Sequence, residues 1–166
     1  VMLLSNKQST HYNKEAFASA LNKIMFELAM LILKDGEGAN KLVAFEVNGA
    51  KNEEDAKRAS MALSNSLLVK TALFGEDPNW GRIASTIGAS GIACNDETLT
   101  IHYDDLLIYS NEFRELDKER EDKAYKIMKQ DSFKVTCNIG LGAGSYTSYG
   151  CDLSYEYVKI NAEYRT

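Results

Sequence analysis

Chemistry in this sequence would have to come from a few short stretches, and the least ordinary is KDGEGANK at residues 34–41. A single acid, Glu37, stands there between two glycines. Gly36 has an obvious use as the C-terminal cap of the apolar helix before it. Gly38 then needs either a second sharp turn or the close approach of another molecule. A carboxylate held at that point suits an ammonium-bearing ligand, through a charge-assisted hydrogen bond. The plain alternative is a solvated acid in a helix-to-strand loop.

GEDPNWGR, at residues 75–82, is the second stretch. A helix starting there offers free N–H groups to an anion, with Arg82 one turn in. The competing reading gives those donors to Asp77 as cap and uses Trp80 to staple the helix to the core. GLGAGS, residues 140–145, follows a predicted strand but lacks dinucleotide-binding spacing. The residues after it read as loop and strand, so no helix N-terminus waits for a phosphate, and a glycine-rich hairpin is the simpler reading. His11 and His102 are too few for a metal site, and His102, between Ile101 and Tyr103, reads as a solvent-facing strand residue. No GxSxG elbow is present.

The elements that must position these residues follow from periodicity. Residues 1–5 read as a short strand. Asn13 caps a helix in which Phe17, Leu21, Ile24, Met25, Leu28, Leu31 and Ile32 recur at helical spacing, ended by Gly36. Residues 42–47 alternate as a strand turned by Asn48-Gly49. A helix over 53–68 carries Ala56, Ala59, Leu63 and Leu67 inward, and a third begins at Asp77-Pro78 with Ile83, Ala84 and Ile87 buried, closed by Gly88 and Gly91. Strands are predicted over 99–103 and 106–109, a charged helix over 116–129, and strands over 133–139 and 153–161. This order gives an α/β (α+β) chain with helices laid on an antiparallel or mixed sheet.

Composition narrows the function classes. The 166 residues are 45% hydrophobic, enough for a real core, and the net charge of −5 with dispersed Lys and Arg argues against nucleic acid as a partner. Cys94, Cys137 and Cys151 have neither disulfide nor zinc spacing, which suits a reducing cytoplasm. The apolar run over 25–33 is broken by Glu27 and short of the ~20 residues a bilayer requires, so no membrane is expected. The Val-Met-Leu-Leu start has no initiator methionine or leader and reads as the start of a processed or truncated product.

KDGEGANK, AFEVNGAKNEEDA (44–56), NSLLVKTALFGEDPNWGRI (65–83) and YGCDLSYEYVKINAEYRT (149–166), taken together, resemble the bifunctional ornithine acetyltransferase / glutamate N-acetyltransferase family of arginine biosynthesis. The resemblance covers residues 1–166 and is closest to the C-terminal part of that family's β-subunit. It implies a precursor that cleaves itself at a threonine, which then opens the β-subunit and carries the acetyl group. It implies part of a four-layer αββα sandwich over 1–68 and a smaller mixed α/β domain over 69–166. The acid of the DGEG motif, the asparagine of the INADYRT tail and that tail's final threonine contact substrate in the family. Here these positions are Glu37, Asn161 and Thr166.

The implied reaction moves acetyl from N-acetylornithine to glutamate through a threonine acyl-enzyme, with no metal or cofactor and with acetyl-CoA as a further donor in some members. The implied partner is the α-subunit of the same precursor in an α2β2 heterotetramer, which would cover the apolar stripe over 17–32. This chain departs from the pattern at Asn40, where threonine is usual, and at Ser154 and Glu156, which stand for Thr and Asp. The cleavage-site and DGDTSTND-like segments do not occur in it. The nucleophile is therefore expected upstream of Val1, and residues 1–166 are expected to be inactive alone. A non-catalytic amino-acid-binding remnant or scaffold domain, and a self-processing aminopeptidase relative, are the alternatives. A threonine followed by Met-Leu upstream would separate the transferase from a remnant.

Overall fold

A computed structural model describes residues 5, 6, 8 and 11–164. The chain divides into two compact units, Val1–Ile32 and Leu33–Thr166. The strand expected over residues 1–5 lies outside the described residues except for Ser5, which belongs to no element, and Thr166 lies outside them as well.

Helix α1, Lys14–Lys34, begins where the Asn13 side chain accepts the Ala16 N–H at 2.8 Å, the cap expected from sequence. None of its residues is buried, and its apolar residues Phe17, Leu28 and Ile32 lie about half exposed or more. At 21 residues, with a window of mean hydropathy 1.6, α1 is long and apolar enough by length and composition to cross a membrane. The reading from residues 25–33 alone missed this because the apolar character continues through earlier turns of the same helix.

The second unit is built on one five-stranded sheet. Strand β1, Leu42–Ala50, lies between β4, Ser132–Asn138, and β5, Gly144–Cys151; it runs parallel to β4 and antiparallel to β5. Strands β2, Thr100–Tyr103, and β3, Leu106–Tyr109, extend the sheet beyond β4 in the order β3-β2-β4-β1-β5. Val43, Phe45 and Val47 alternate with half-buried Leu42, Ala44, Glu46 and Asn48, so one face of β1 is core. Helix α2, Glu53–Asn65, packs on β1 and β5 with Ala56, Ala59 and Leu63 fully buried. Helix α4, Trp80–Ala89, adds Ile83 and Ile87, and α5, Lys118–Met128, adds Ala124 and Met128. The sheet draws strands from both sides of residues 68 and 69: β1 precedes them, and its two hydrogen-bonded neighbours follow.

Several expectations are corrected. The helix over 53–68 is broken at Ser66, whose side chain accepts the Val69 N–H and starts α3, Leu67–Phe74; Leu67 is therefore exposed rather than core. Strand β1 does not turn at Asn48-Gly49 but continues through them to Ala50 with a register shift against β5. The residues after GLGAGS form β5, as a strand there requires, but β4 and β5 are not a hairpin, since β1 separates them. The strand expected over 153–161 is instead helix α6, Tyr155–Glu163, capped by the Ser154 hydroxyl, which accepts the Tyr157 N–H at 3.1 Å. The mixed α/β class stands.

Candidate functional site

The loop over residues 35–41 leaves α1 and enters β1, so the core strand fixes one end of it. Left-handed backbone falls on Gly38 (φ 67°), not on Gly36, whose N–H makes a long 3.4 Å hydrogen bond to Leu33 O and whose carbonyl accepts the Ala39 N–H at 3.0 Å. The reason is a close approach by the chain's own C-terminal helix. A Cβ on Gly38 would meet the Tyr157 backbone nitrogen at 2.5 Å and Ser154 Oγ at 2.9 Å. Ser154 Oγ donates to Gly38 O at 2.6 Å while also capping α6. The second glycine thus admits the first turn of α6.

This docking brings Glu37 and Asn161 together across 124 positions of sequence. Asn161 Nδ2 donates to Glu37 Oε2 at 3.3 Å and to Tyr157 O, one turn back, at 2.9 Å. Both side chains are exposed. With those hydrogens engaged, the pair presents a carboxylate and an amide oxygen, a surface of acceptors. Thr166, the third residue implied by the resemblance, lies outside the described residues.

The same loop is held by Asp152, which sequence reasoning did not single out. It is only 3% exposed. Its Oδ1 accepts the backbone N–H of Asn40 at 2.8 Å and of Lys41 at 3.0 Å, and its Oδ2 accepts Asn40 Nδ2 at 3.0 Å. The Lys41 ammonium, itself nearly buried, pairs with Glu76 at 3.3 Å and ties the loop to the GEDPNWGR segment. A cavity of ≈ 290 Å³ adjoins this loop, lined by Leu33, Lys34, Ala39, Asn40, Lys41, Leu42, Asp131 and Ser132; neither Glu37 nor Asn161 faces it.

The remaining candidates have structural explanations. In GEDPNWGR the cap of α4 is Asn79, which accepts the Arg82 N–H at 3.1 Å, and Asp77 instead accepts Asn79 Nδ2 at 3.0 Å. Arg82 turns away from the helix start and donates to Leu68 O and Thr71 Oγ1. Trp80 stacks on Tyr109 with centroids 4.4 Å apart. Gly142 and Gly144 lie against the backbone of residues 50–52, where a Cβ on Gly142 would sit 2.6 Å from Ala50 O, and Gly140 lies against Thr98. His102 is half-buried on the open face of the sheet, and burial holds its imidazole below the ordinary value while Asp105 works the other way. Glu46, on the same face, is raised by burial, but hydrogen bonds and charge from Lys134, with Thr136 and Asn48, outweigh that and leave it below the usual carboxylate value. Among the described residues no three His, Cys, Asp or Glu side chains are placed to hold a metal ion.

A mixed sheet backed by helices, with a glycine-flanked acid engaged by the chain's last helix, defines a small α/β domain whose polar site is assembled from loop and tail. The model of the ArgJ family matches residues 1–166. The chain is 58% identical over 166 residues, all of this chain and 42% of the relative, to the arginine biosynthesis bifunctional protein ArgJ of Wolinella succinogenes. It is 48% identical over 158 residues, 92% of this chain and 39% of the relative, to the glutamate N-acetyltransferase of Methanocaldococcus jannaschii. The crystal structure of the arginine biosynthesis bifunctional protein argJ of Bacillus halodurans superposes with a TM-score of 0.84 at 37% identity, covering 97% of this chain and 74% of that one. This chain belongs to the ArgJ family. It spans about two-fifths of the length of those two curated relatives.

Proposed function

We propose that residues 1–166 form the amino-acid-binding part of an acetyltransferase that converts N-acetylornithine and glutamate into ornithine and N-acetylglutamate. The observation that carries this reading is the Glu37–Asn161 pair. Both amide hydrogens of Asn161 are engaged by Glu37 Oε2 and Tyr157 O, so Asn161 Oδ1 and Glu37 Oε1 are the atoms offered to a ligand. An ammonium brings donors and no acceptor, and a carboxylate at its side strengthens each hydrogen bond. The δ-ammonium of N-acetylornithine is such a group. Thr166 would hold a further polar end of the substrate.

The chemistry itself is double displacement by a threonine of the full-length chain, upstream of Val1. Its hydroxyl adds to the acetyl carbonyl of N-acetylornithine, its own free amine taking the proton. An oxyanion hole supplied by the α-subunit stabilises the tetrahedral intermediate. The C–N bond breaks, and ornithine leaves with the proton on its amine. The amine of glutamate then attacks the threonine ester, the C–O bond breaks, and the proton returns to the threonine oxygen. Neither displacement requires a metal or an organic cofactor. Acetyl-CoA would serve as donor by the same attack on a thioester. The reading includes an α2β2 assembly in the cytoplasm.

The experiment is Glu37→Gln in the full-length protein. Replacing an ionised acceptor by a neutral amide should lower kcat/KM for N-acetylornithine by about tenfold or more. Unchanged kinetics would remove Glu37 from the site. Ornithine binding without any acetyl transfer would identify a binding module instead.

A further inference from the structure

We propose that Asp152 is a positioning residue for this site: its buried carboxylate sets the distance between Glu37 and Asn161 by holding the loop over 37–41 against the start of α6. The inference rests on the reading of Glu37 and Asn161 given above.

Three N–H donors converge on this carboxylate, and all come from Asn40 and Lys41. Asp152 therefore serves the loop that carries Glu37. Two residues further on, Ser154 serves both sides: its hydroxyl donates to Gly38 O and accepts the Tyr157 N–H. Leu153 N, between them, donates to Lys70 O at 3.1 Å, so the Asp152–Ser154 segment is tied to α3. Asn40 Nδ2 also donates to Gly38 O at 3.2 Å, linking the clamp to the residue beside Glu37. On the helix side Asn161 stands one turn beyond Tyr157 and donates to its carbonyl. Apart from the pair's own exposed hydrogen bond of 3.3 Å, the hydrogen-bonded route from the loop to Asn161 thus passes through residues 152–154. An exposed bond of that length does not hold two flexible side chains in register. The buried Asp152 carboxylate, which fixes Asn40 and Lys41 in the same loop, does. Reactive geometry tolerates little slack, since a misplacement of about 1 Å can cost about 10²-fold in rate.

The test is Asp152→Asn in the full-length protein. The new amide keeps one oxygen for the two backbone donors but turns its NH2 toward Asn40 Nδ2, donor against donor. KM for N-acetylornithine should rise about tenfold, because the two backbone bonds lose their charge assistance and the bond from Asn40 Nδ2 is lost. A crystal structure should show the Asn161 Nδ2–Glu37 Oε2 separation lengthened beyond hydrogen-bonding range. The reciprocal exchange N40D/D152N restores the donor–acceptor pair between positions 40 and 152 but loses the Asn40 Nδ2–Gly38 O bond, so it should recover KM in part, by about threefold from the Asp152→Asn value. Asp152→Asn that folds with KM unchanged overturns the proposal. So does a raised KM that N40D/D152N fails to recover, because a general loss of structure behaves that way. Should Asp152→Asn not fold, Asn40→Ala removes only the Nδ2 bonds; KM should rise about threefold, and an unchanged value overturns the proposal. Failure of the underlying site looks different: Glu37→Gln would then leave KM unaltered. Impairment in Glu37→Gln without any in the Asp152 and Asn40 variants refutes the positioning role alone.

Discussion

Gly38→Ala separates the two reasons a glycine can be required at one position. Any alanine placed at φ 67° suffers the left-handed penalty of about 1–2 kcal/mol. At Gly38 its methyl would also stand 2.5 Å from Tyr157 N and 3.0 Å from Tyr157 Cα, both backbone atoms of α6. Ordinary contact begins at 3.4 Å, so the first turn of α6 must retreat by about 0.9 Å. Gly91 provides the control, with a similar φ of 78° and nothing within 4 Å of its would-be Cβ. Gly91→Ala therefore reports the backbone penalty alone, less the entropy gained by stiffening the unfolded chain, which is common to both variants. The overpacking term at Gly38 adds about 1–3 kcal/mol. At about 2–4 °C per kcal/mol for a chain of this size, Gly38→Ala should melt roughly 2–12 °C below Gly91→Ala in parallel calorimetric scans. The displaced helix also carries Asn161, so Gly38→Ala should raise KM for N-acetylornithine while Gly91→Ala leaves it unchanged. Equal melting temperatures for the two variants would show that Gly38 serves only a turn, and the docking argument would fail.

Ser60 Oγ, within a buried cluster, has Phe45 O at 2.8 Å and Ser148 Oγ at 2.7 Å in reach of its single O–H and accepts the Ser148 N–H, so Ser60→Ala should cost about 2–3 kcal/mol in a denaturant titration with little change in slope. Burial pushes the Cys137 thiol up to about 12, and the side chain is fully enclosed. Thiol labelling at about pH 8, mapped by mass spectrometry, should therefore modify half-buried Cys94 and Cys151 first and Cys137 only on unfolding. The folded-state value of His102 lies below 6.5, so the unfolded chain binds more protons just below that pH. The His102 contribution should be complete above about pH 6.5 and fade as pH falls through the folded-state value; His102→Gln should flatten that part of the stability profile.

Elements with strong periodicity were legible in the sequence: α1, β1, β2, β3, α5 and β4 fall where the apolar spacing places them. The break at Ser66 was obscured because apolar residues continue on both sides of it, while the cap that makes it is a single hydroxyl. Strand β5 is rich in Ser, Tyr, Thr and Gly, and its order comes from pairing with β1 about 100 residues earlier. Helix α6 reads as a strand because Tyr155, Tyr157 and Val158 favour one. Ser154 was the signal for a helix, a capping residue ahead of an acid in the first turn. In the site, Glu37 was visible through its glycines, whereas Asn161 was reached only through family resemblance. Asp152 gave no local sign, since its three donors lie 111 and 112 positions away.

The two glycines beside Glu37 are therefore not a matched pair making room for a ligand. Gly36 lies just past α1 on ordinary backbone, while Gly38 is where α6 meets the loop. A residue with a side chain at Gly38 would hold the last helix away from the acid, and Asn161 would lose its partner. The acid itself needs no protection from the glycines, since it points outward and is exposed. For the proposed site, preference for a cation would follow from the count of hydrogens: once Tyr157 O and Glu37 Oε2 engage the amide of Asn161, acceptors are what remain. A neutral ligand that brought its own acceptors would face two oxygens with nothing to share. In the positioning role proposed for it, the buried Asp152 carboxylate, by fixing Asn40 and Lys41, is what would make that arrangement rigid enough to discriminate.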